Sequence, residues 1–109
     1  MEQLYRKAEL PGGDSYEWAP GRHPALWGAR SVYTTGETML WLQRYLGLAV
    51  PHINYYGPTV LYERDWVRVA AAFAADAPAV REHGALFAQL DEFMRAAFFH
   101  YAAVTLYGV

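Results

Sequence analysis

The chain lacks cysteine altogether, which excludes disulfides, cysteine-based zinc sites and cysteine catalysis. Serine is nearly as scarce, because Ser15 and Ser31 are the only two and neither lies in the Gly-x-Ser-x-Gly pattern of a hydrolase nucleophile. The Gly12-Gly13 pair opens neither of the glycine-rich signatures that bind phosphates. We therefore find no decisive catalytic signature and predict no cofactor.

Charge is also sparse. Charged residues make up 18% of the chain, and eleven acids against nine Lys and Arg give a net charge of -2. No basic block exists, so binding to a nucleic-acid backbone is not expected. The uncharged run at residues 96–109 is too short to span a bilayer, and the N-terminus lacks the apolar core of a signal peptide. We expect a cytoplasmic protein with no membrane partner.

The four histidines do not form a metal-binding pattern. No two of them are four residues apart, and the His-Glu-x-x-His sequence of zinc proteases does not occur. The sequence therefore predicts no metal site. These histidines are His23, His52, His83 and His100.

Aromatic residues are abundant instead. They reach 17% of the chain, with nine tyrosines and four tryptophans. Hydrophobic residues make up 54%, which is enough for the core of a single domain spanning residues 1–109. Because a domain of this size has a limited interior, some Tyr and Trp side chains must lie near the surface, where they favour protein interfaces.

Residues 11–28, PGGDSYEWAPGRHPALWG, hold four glycines and three prolines. This density disfavours both a regular helix and a central strand. The segment also contains Tyr16, Trp18 and Trp27. We therefore predict a long loop that is packed down by its aromatic side chains.

The helix that follows has both ends marked. Thr34 and Glu37 have the spacing of a capping box, and Gly47 is a suitable residue just beyond the last turn. Further along the chain, a 3.6-residue period of apolar residues predicts two more helices, one from Arg64 and one over roughly 79–101.

Three strands are predicted around these helices, at residues 30–34, at 59–63 and in the closing run AVTLYGV. The order is strand, helix, strand, helix, helix, strand. Strand–helix–strand passages favour parallel neighbours with right-handed crossovers. The sequence thus predicts a single small α/β domain with a three-stranded, mostly parallel sheet and about three helices.

The segment HINYYGPTVLYERDW, residues 52–66, is the main candidate for a functional surface. Two tyrosines precede the Gly-Pro turn and cannot both face inward, and acids follow the strand. An aromatic and acidic patch suits a basic protein partner. An acid at the start of a helix can instead serve the helix N-terminus. The predicted contact residues are Tyr55, Tyr56, Tyr62, Glu63 and Asp65.

Two alternatives remain open from the residues alone. His52, Tyr55 and Asp65 could converge in a small pocket for acid–base catalysis or ligand binding. Alternatively, an exposed Phe99 near Tyr107 could form part of a self-association surface, as in a homo-oligomeric accessory subunit.

Over roughly residues 30–109 the chain resembles the barstar family of small cytoplasmic immunity proteins. The stretch LAVPHINYYG is similar to the segment after the first helix of that family, with Pro51, Tyr55, Tyr56 and Gly57 as the matching positions. PTVLYERDW resembles the middle strand entering a helix, and the closing helix with VTLYG resembles the last helix and strand.

The resemblance implies a protein that binds a ribonuclease toxin through an acidic and aromatic surface. In that family an acidic inhibitory helix directly follows the Tyr-Tyr-Gly segment, whereas here Pro58 and a strand follow. Ribonuclease inhibition therefore does not carry over residue by residue. The leading hypothesis is a small non-catalytic inhibitor or immunity-type protein whose partner is another protein, such as a toxin or enzyme.

Overall fold

The computed structural model describes residues 3–108 and contains four strands and three α-helices in that range. A short 3-10 turn, Lys7–Glu9, precedes them. The elements are β1 (Ser15–Pro20), β2 (Val32–Thr35), α1 (Gly36–Ala49), β3 (Pro58–Tyr62), α2 (Glu63–Ala74), α3 (Ala77–His100) and β4 (Ala103–Tyr107). The prediction of a small α/β domain with three helices is confirmed.

The sheet has the strand order β2-β1-β4-β3, and all neighbouring strands are antiparallel. The predicted three-stranded, mostly parallel sheet is therefore wrong in strand number and direction. A single crossover helix would have made β3 and β4 parallel. Instead α2 and α3 form a helical hairpin that returns the chain to the end of β3, where Tyr62 pairs with Ala103. Strands β2 and β3, which α1 connects, lie at opposite edges.

Strand β1 lies inside the segment that was predicted to be a loop. It pairs with both β2 and β4 and so occupies the interior of the sheet. Its first four residues, SYEW, alternate polar and apolar side chains, and Pro20 lies at its last position. The other glycines and prolines of residues 11–28 lie in the two connections, and the strand between them is regular.

The three helices cover one face of the sheet, and two tryptophans join the two layers. Trp18 of β1 and Trp66 of α2 meet edge to face with ring centroids 6.1 Å apart, and both are almost fully buried. Each indole N–H has an acceptor, since Trp18 Nε1 donates to Thr34 Oγ1 at 3.0 Å and Trp66 Nε1 donates to Asp91 Oδ1 at 2.8 Å. The centre of the core thus buries two large rings without losing a hydrogen bond.

The helix ends differ by a residue or two from the sequence prediction. Thr35, not Thr34, caps α1, because its Oγ1 accepts from the Thr38 N–H at 3.3 Å. Gly47 lies within the last turn of α1 and does not follow it. Asp76 lies between α2 and α3 and caps the latter by accepting from the Ala79 N–H at 3.4 Å.

The other face of the sheet is covered by the connection between β1 and β2, residues 21–31. The His23 N–H donates to Thr105 Oγ1 at 2.9 Å, and that hydroxyl donates to the Gly21 carbonyl at 2.8 Å. The Tyr107 hydroxyl donates to the Pro24 carbonyl. We call residues 21–31 the covering loop. It gives the second sheet face a partial layer of its own.

Within residues 3–108, none of the helices has the length and apolar character needed to cross a membrane.

Candidate functional site

The structure places the five predicted contact residues at two separate positions. Tyr55 and Tyr56 lie in the turn that precedes β3, whereas Tyr62, Glu63 and Asp65 lie where β3 ends and α2 begins. Because each residue of a strand advances about 3.3 Å, the five residues of β3 separate the two groups by roughly 15 Å. The two groups therefore do not form one compact patch.

Asp65 has a structural role at the start of α2. Its Oδ2 accepts from the Tyr62 N–H at 2.8 Å, and its side chain is buried, with 8% exposure. Glu63 is exposed, but the Arg64 guanidinium lies over the Tyr62 ring, 5.0 Å from its centroid. The group at the end of β3 therefore has a positively charged residue, Arg64, beside its two acids, which makes it a weaker match to a basic partner.

In the turn before β3, the Tyr56 side chain is exposed and the Tyr55 side chain is hydrogen-bonded to α1. The Tyr55 hydroxyl donates to the Gln43 carbonyl of α1 at 3.2 Å. The Tyr56 N–H donates to Asn54 Oδ1 at 2.9 Å, and its side chain is 84% exposed. The end of β4 supports this turn, because the Gly108 N–H donates to the Gly57 carbonyl at 3.2 Å. Tyr56 is thus a displayed aromatic side chain on an anchored backbone.

The alternative pocket of His52, Tyr55 and Asp65 is not assembled. His52 lies exposed in the turn after α1, the Tyr55 hydroxyl is bonded to Gln43, and Asp65 is used at the far end of β3. Among residues 3–108, no group of three or more His, Cys, Asp or Glu side chains is placed to hold a metal ion.

A wide concave surface lies at the start of α1. We call it the acidic cleft, and its volume is about 890 Å³. The two charged side chains among its described lining residues are Asp14, just before β1, and Glu37, in the first turn of α1. Tyr5, Tyr16 and Leu40 supply aromatic and aliphatic walls. The full lining is Gln3, Tyr5, Pro11, Gly12, Asp14, Tyr16, Thr35, Gly36, Glu37, Thr38 and Leu40.

Electrostatic coupling links the cleft to the predicted tyrosines. Burial raises the pKa of Tyr16, and the charges of Asp14 and Tyr56 raise it further. Burial also raises the pKa of Tyr55, with a smaller contribution from Tyr16. The three tyrosines therefore form a neighbouring group at one end of the sheet. Tyrosine is already neutral well below pH 10, and the upward pKa shifts of Tyr16 and Tyr55 only reinforce this, so the negative charge there comes from the carboxylates.

The N-terminus of α1 brings Glu37 to the cleft. The Gly36 N–H donates to the Asp14 carbonyl at 3.1 Å, which ties the start of the helix to the segment before β1. The Thr35 hydroxyl oxygen accepts a hydrogen bond from the Thr38 N–H and so caps the helix. The helix dipole favours an acid such as Glu37 in the first turn. Local helix chemistry thus explains why an acid occupies the start of α1, where Asp14 also lines the cleft.

The sequence predicted Tyr55 and Tyr56 as candidate contact residues, but it did not identify Asp14, Tyr16 or Glu37 as such. A signal for Tyr16 was present in the sequence, because the alternation in SYEW is typical of a strand, and a strand there places Tyr16 and Trp18 on one face. Asp14 and Glu37 are far apart in sequence, and only the pairing of β1 with β2 brings them together.

No protein-family model matches this chain, and neither a curated protein nor a solved structure shows significant similarity to it.

Proposed function

We propose that this chain is a small non-catalytic protein-binding domain of the inhibitor or immunity type, which docks a basic segment of a protein partner in the acidic cleft. The observation that carries this proposal is the cleft itself. It is large and open, and both charged side chains in its described lining are acids.

Exposed apolar side chains beside the cleft support docking of a protein. Leu40 lines the cleft and is 72% exposed, and the nearby Tyr56 is more exposed still. Tyrosine is enriched in protein interfaces, where it combines a large apolar area with a hydrogen-bonding hydroxyl. Burying Tyr56 and Leu40 under a partner would supply affinity, while Asp14 and Glu37 would select a positively charged segment.

The direct test uses a defined probe, an arginine-rich peptide, with a glutamate-rich peptide of equal length as the charge control. We expect the arginine-rich peptide alone to bind, to shift the backbone amide signals of residues 12–16 and 35–40 in NMR spectra, and to weaken as salt is raised. The double variant Asp14→Asn and Glu37→Gln should bind roughly five- to thirtyfold more weakly, which corresponds to about 1–2 kcal/mol for two exposed charges.

The matched control is Glu63→Gln, which removes an exposed acid at the other end of β3. Peptide affinity should not change in this variant if the cleft is the docking site. Equal binding of both peptides, or a larger loss in Glu63→Gln than in the double variant, would contradict the cleft. Light scattering distinguishes a second copy of this chain as the occupant, since self-association would grow with protein concentration when no peptide is present.

For the native partner, the wild-type chain and the double variant serve as paired baits in the source cell. We expect a stoichiometric protein on the wild-type bait, absent from the double variant and retained by Glu63→Gln. Purified, that protein should present a basic surface to this chain. A captured protein that binds all three baits equally would not use the cleft.

A further inference from the structure

A row of three side chains crosses the sheet on the face opposite the helices. Glu17 of β1 pairs with Tyr33 of β2 on one side and with Tyr107 of β4 on the other. Side chains of directly paired residues lie about 5 Å apart on the same face. A carboxylate is therefore held between two tyrosines, beneath the covering loop.

The Glu17 carboxylate is buried and receives three neutral donors. Its Oε1 accepts from the Trp27 N–H at 2.9 Å, and its Oε2 accepts from the Gly28 N–H at 3.3 Å and from Ser31 Oγ at 2.6 Å. These bonds compensate its loss of water, as a buried carboxylate requires. None of the three donors carries a positive charge, so the charge of the carboxylate is not neutralised by them.

Tyr33 adds an unpaired polar atom beside this carboxylate. Its side chain is 1% exposed, and its hydroxyl lies beside Glu17 and Ser31 but forms no hydrogen bond of normal geometry among the residues that the structure describes. Burial raises the pKa of Tyr33, the charge of the neighbouring Glu17 and the side-chain contact with it raise that pKa further, and the side-chain contact with Ser31 lowers it. Buried polar atoms without a partner are uncommon, and one that lies at a cavity points to a ligand or water.

Such a cavity is present. A pocket of about 280 Å³ is lined by Glu17, Tyr33 and Tyr107 of the row, together with Trp27 and Asp14. Among its described lining residues, the two charged side chains are both acids. The pocket shares only Asp14 with the lining of the acidic cleft. Its volume is at the small end of ligand pockets, which limits an occupant to a small molecule.

The covering loop is held in an unusual conformation where it meets the pocket. Trp27, whose N–H bonds Glu17, has φ of 62°, and His23 has φ of 48°. A bulky residue in the left-handed region is disfavoured, and such residues cluster at ligand-binding positions. The Trp27 ring stacks on Tyr33 and already attracts one cation, because the Lys7 ammonium lies 5.4 Å from its centroid.

We propose that this pocket binds a small organic cation with a single guanidinium or primary ammonium group. The Tyr33 hydroxyl oxygen accepts an N–H of the ligand, Glu17 and Asp14 supply the opposite charge, and the aromatic rings surround the head group. This inference does not rest on the acidic cleft or on a protein partner.

The test titrates the full chain with ethylguanidinium and with ethylammonium, and uses neutral ethylurea and anionic propionate as controls. NMR follows the backbone amides of Trp27 and Gly28, which bond Glu17. We expect saturable shifts at these amides with the two cations and none with ethylurea or propionate. Absence of saturation with both cations, or equal shifts with ethylurea, would overturn the proposal without any variant.

Tyr33→Phe removes only the unpaired hydroxyl, and we expect it to bind the cation at least about tenfold more weakly, as for a lost hydrogen bond to a charged group. Tyr45→Phe, on the helix side of the sheet, is the matched control and should bind as wild type. Unchanged affinity in Tyr33→Phe would overturn the proposal. Glu37→Gln separates this site from the docking function, because it should weaken the arginine-rich peptide while cation binding stays unchanged.

Discussion

Tyr33 and Tyr45 are both buried, but their hydroxyls differ in hydrogen bonding. The Tyr33 hydroxyl forms no hydrogen bond of normal geometry among the described residues, whereas the Tyr45 hydroxyl donates to Asp76 Oδ2 at 2.8 Å. An unpaired buried hydroxyl costs about 1–3 kcal/mol, so Tyr33→Phe should raise the free energy of unfolding by about 1 kcal/mol. Tyr45→Phe should lower it. Urea denaturation without added ligand measures both changes.

The comparison of these two variants is informative because each removes one oxygen atom and leaves the ring in place. A destabilised Tyr33→Phe protein would mean that the hydroxyl has a partner in the folded chain. That result would remove the unpaired atom on which the cation site depends. A stabilised variant that also loses cation binding would show a residue retained for binding at a cost in stability.

Gly108 fits closely against the turn that carries the displayed tyrosine. A Cβ at Gly108 would overlap the Tyr55 carbonyl and lie 2.8 Å from the Tyr56 nitrogen, so the turn would have to move. We expect Gly108→Ala to destabilise the fold by about 1–3 kcal/mol, the usual cost of overpacking. Thermal unfolding measures this, and NMR shows whether Tyr55 and Tyr56 shift.

Gly47→Ala is the control for that substitution. Gly47 lies inside α1 and has open space around its Cβ position, so alanine should stabilise the helix by about 0.5–1 kcal/mol. If Gly108→Ala were as harmless as Gly47→Ala, the contact between the end of β4 and the turn would not hold the tyrosines in place.

At the scale of single elements, the start of α2 depends on one carboxylate. Asp65 accepts from the Tyr62 N–H and also lies in the first turn, where the helix dipole favours negative charge. Asp65→Ala should therefore lower the free energy of unfolding by about 1 kcal/mol, as for other helix caps. Glu63→Gln, which changes an exposed acid of the same turn, should alter it by less than about 0.5 kcal/mol.

Arginine-rich peptide binding provides the functional side of this comparison. If Asp65 serves only the helix, Asp65→Ala should bind the peptide as tightly as wild type at a temperature where the variant is folded. A specific loss of peptide affinity would return Asp65 to the docking surface that the sequence predicted.

The sequence predicted the helices better than the sheet, and the reason is local. The apolar period of residues 64–77 and Pro78, which lies in the first turn of the next helix, are both visible along the chain. The direction of β4 depends on the packing of α2 against α3, which is a tertiary contact. The short link between α2 and α3 was the sequence signal for the direction of β4. Two helices that form a hairpin bring the chain back to the end of β3, so that the next strand runs antiparallel to it.

The candidate site residues likewise differ in whether local sequence or tertiary contacts determine their surroundings. Tyr56 was predictable because two adjacent tyrosines before a Gly-Pro turn cannot both be buried. Glu17 was not, since its environment comes from a row across three strands and from backbone N–H groups of the covering loop. From the sequence alone, a charged residue between Tyr16 and Trp18 is expected to be solvent-exposed, because its neighbours across the sheet and in the covering loop are not known.

At the scale of the whole molecule, the sheet separates two environments that both contain buried tyrosines. Tyr45 lies on the helix side, while Tyr33 and Tyr107 lie under the covering loop. Burial is the largest cause of a raised pKa in each of these three, as it is in Tyr16 and Tyr55. The fold as a whole therefore disfavours tyrosinate at five positions.

The raised pKa values of these five tyrosines predict a loss of stability at alkaline pH. An unfolded tyrosine ionises near pH 10.0, and these five ionise at higher pH in the folded chain, so the unfolded state loses protons first. Their contribution to stability is complete below pH 10 and is lost as pH rises through the folded pKa values. We expect cooperative unfolding above pH 10, with circular dichroism and tyrosinate absorbance changing together.

Tyr33→Phe tests the assignment of this pH dependence to individual groups. Without the Tyr33 hydroxyl, the free energy of unfolding should fall less steeply above pH 10, by at most about 1.4 kcal/mol per pH unit for one proton. Urea denaturation at a series of alkaline pH values measures the slope. If all tyrosines ionised near pH 10 while the circular dichroism stayed native, the buried row beneath the covering loop would be open to solvent, and the proposed cation pocket would lose its walls.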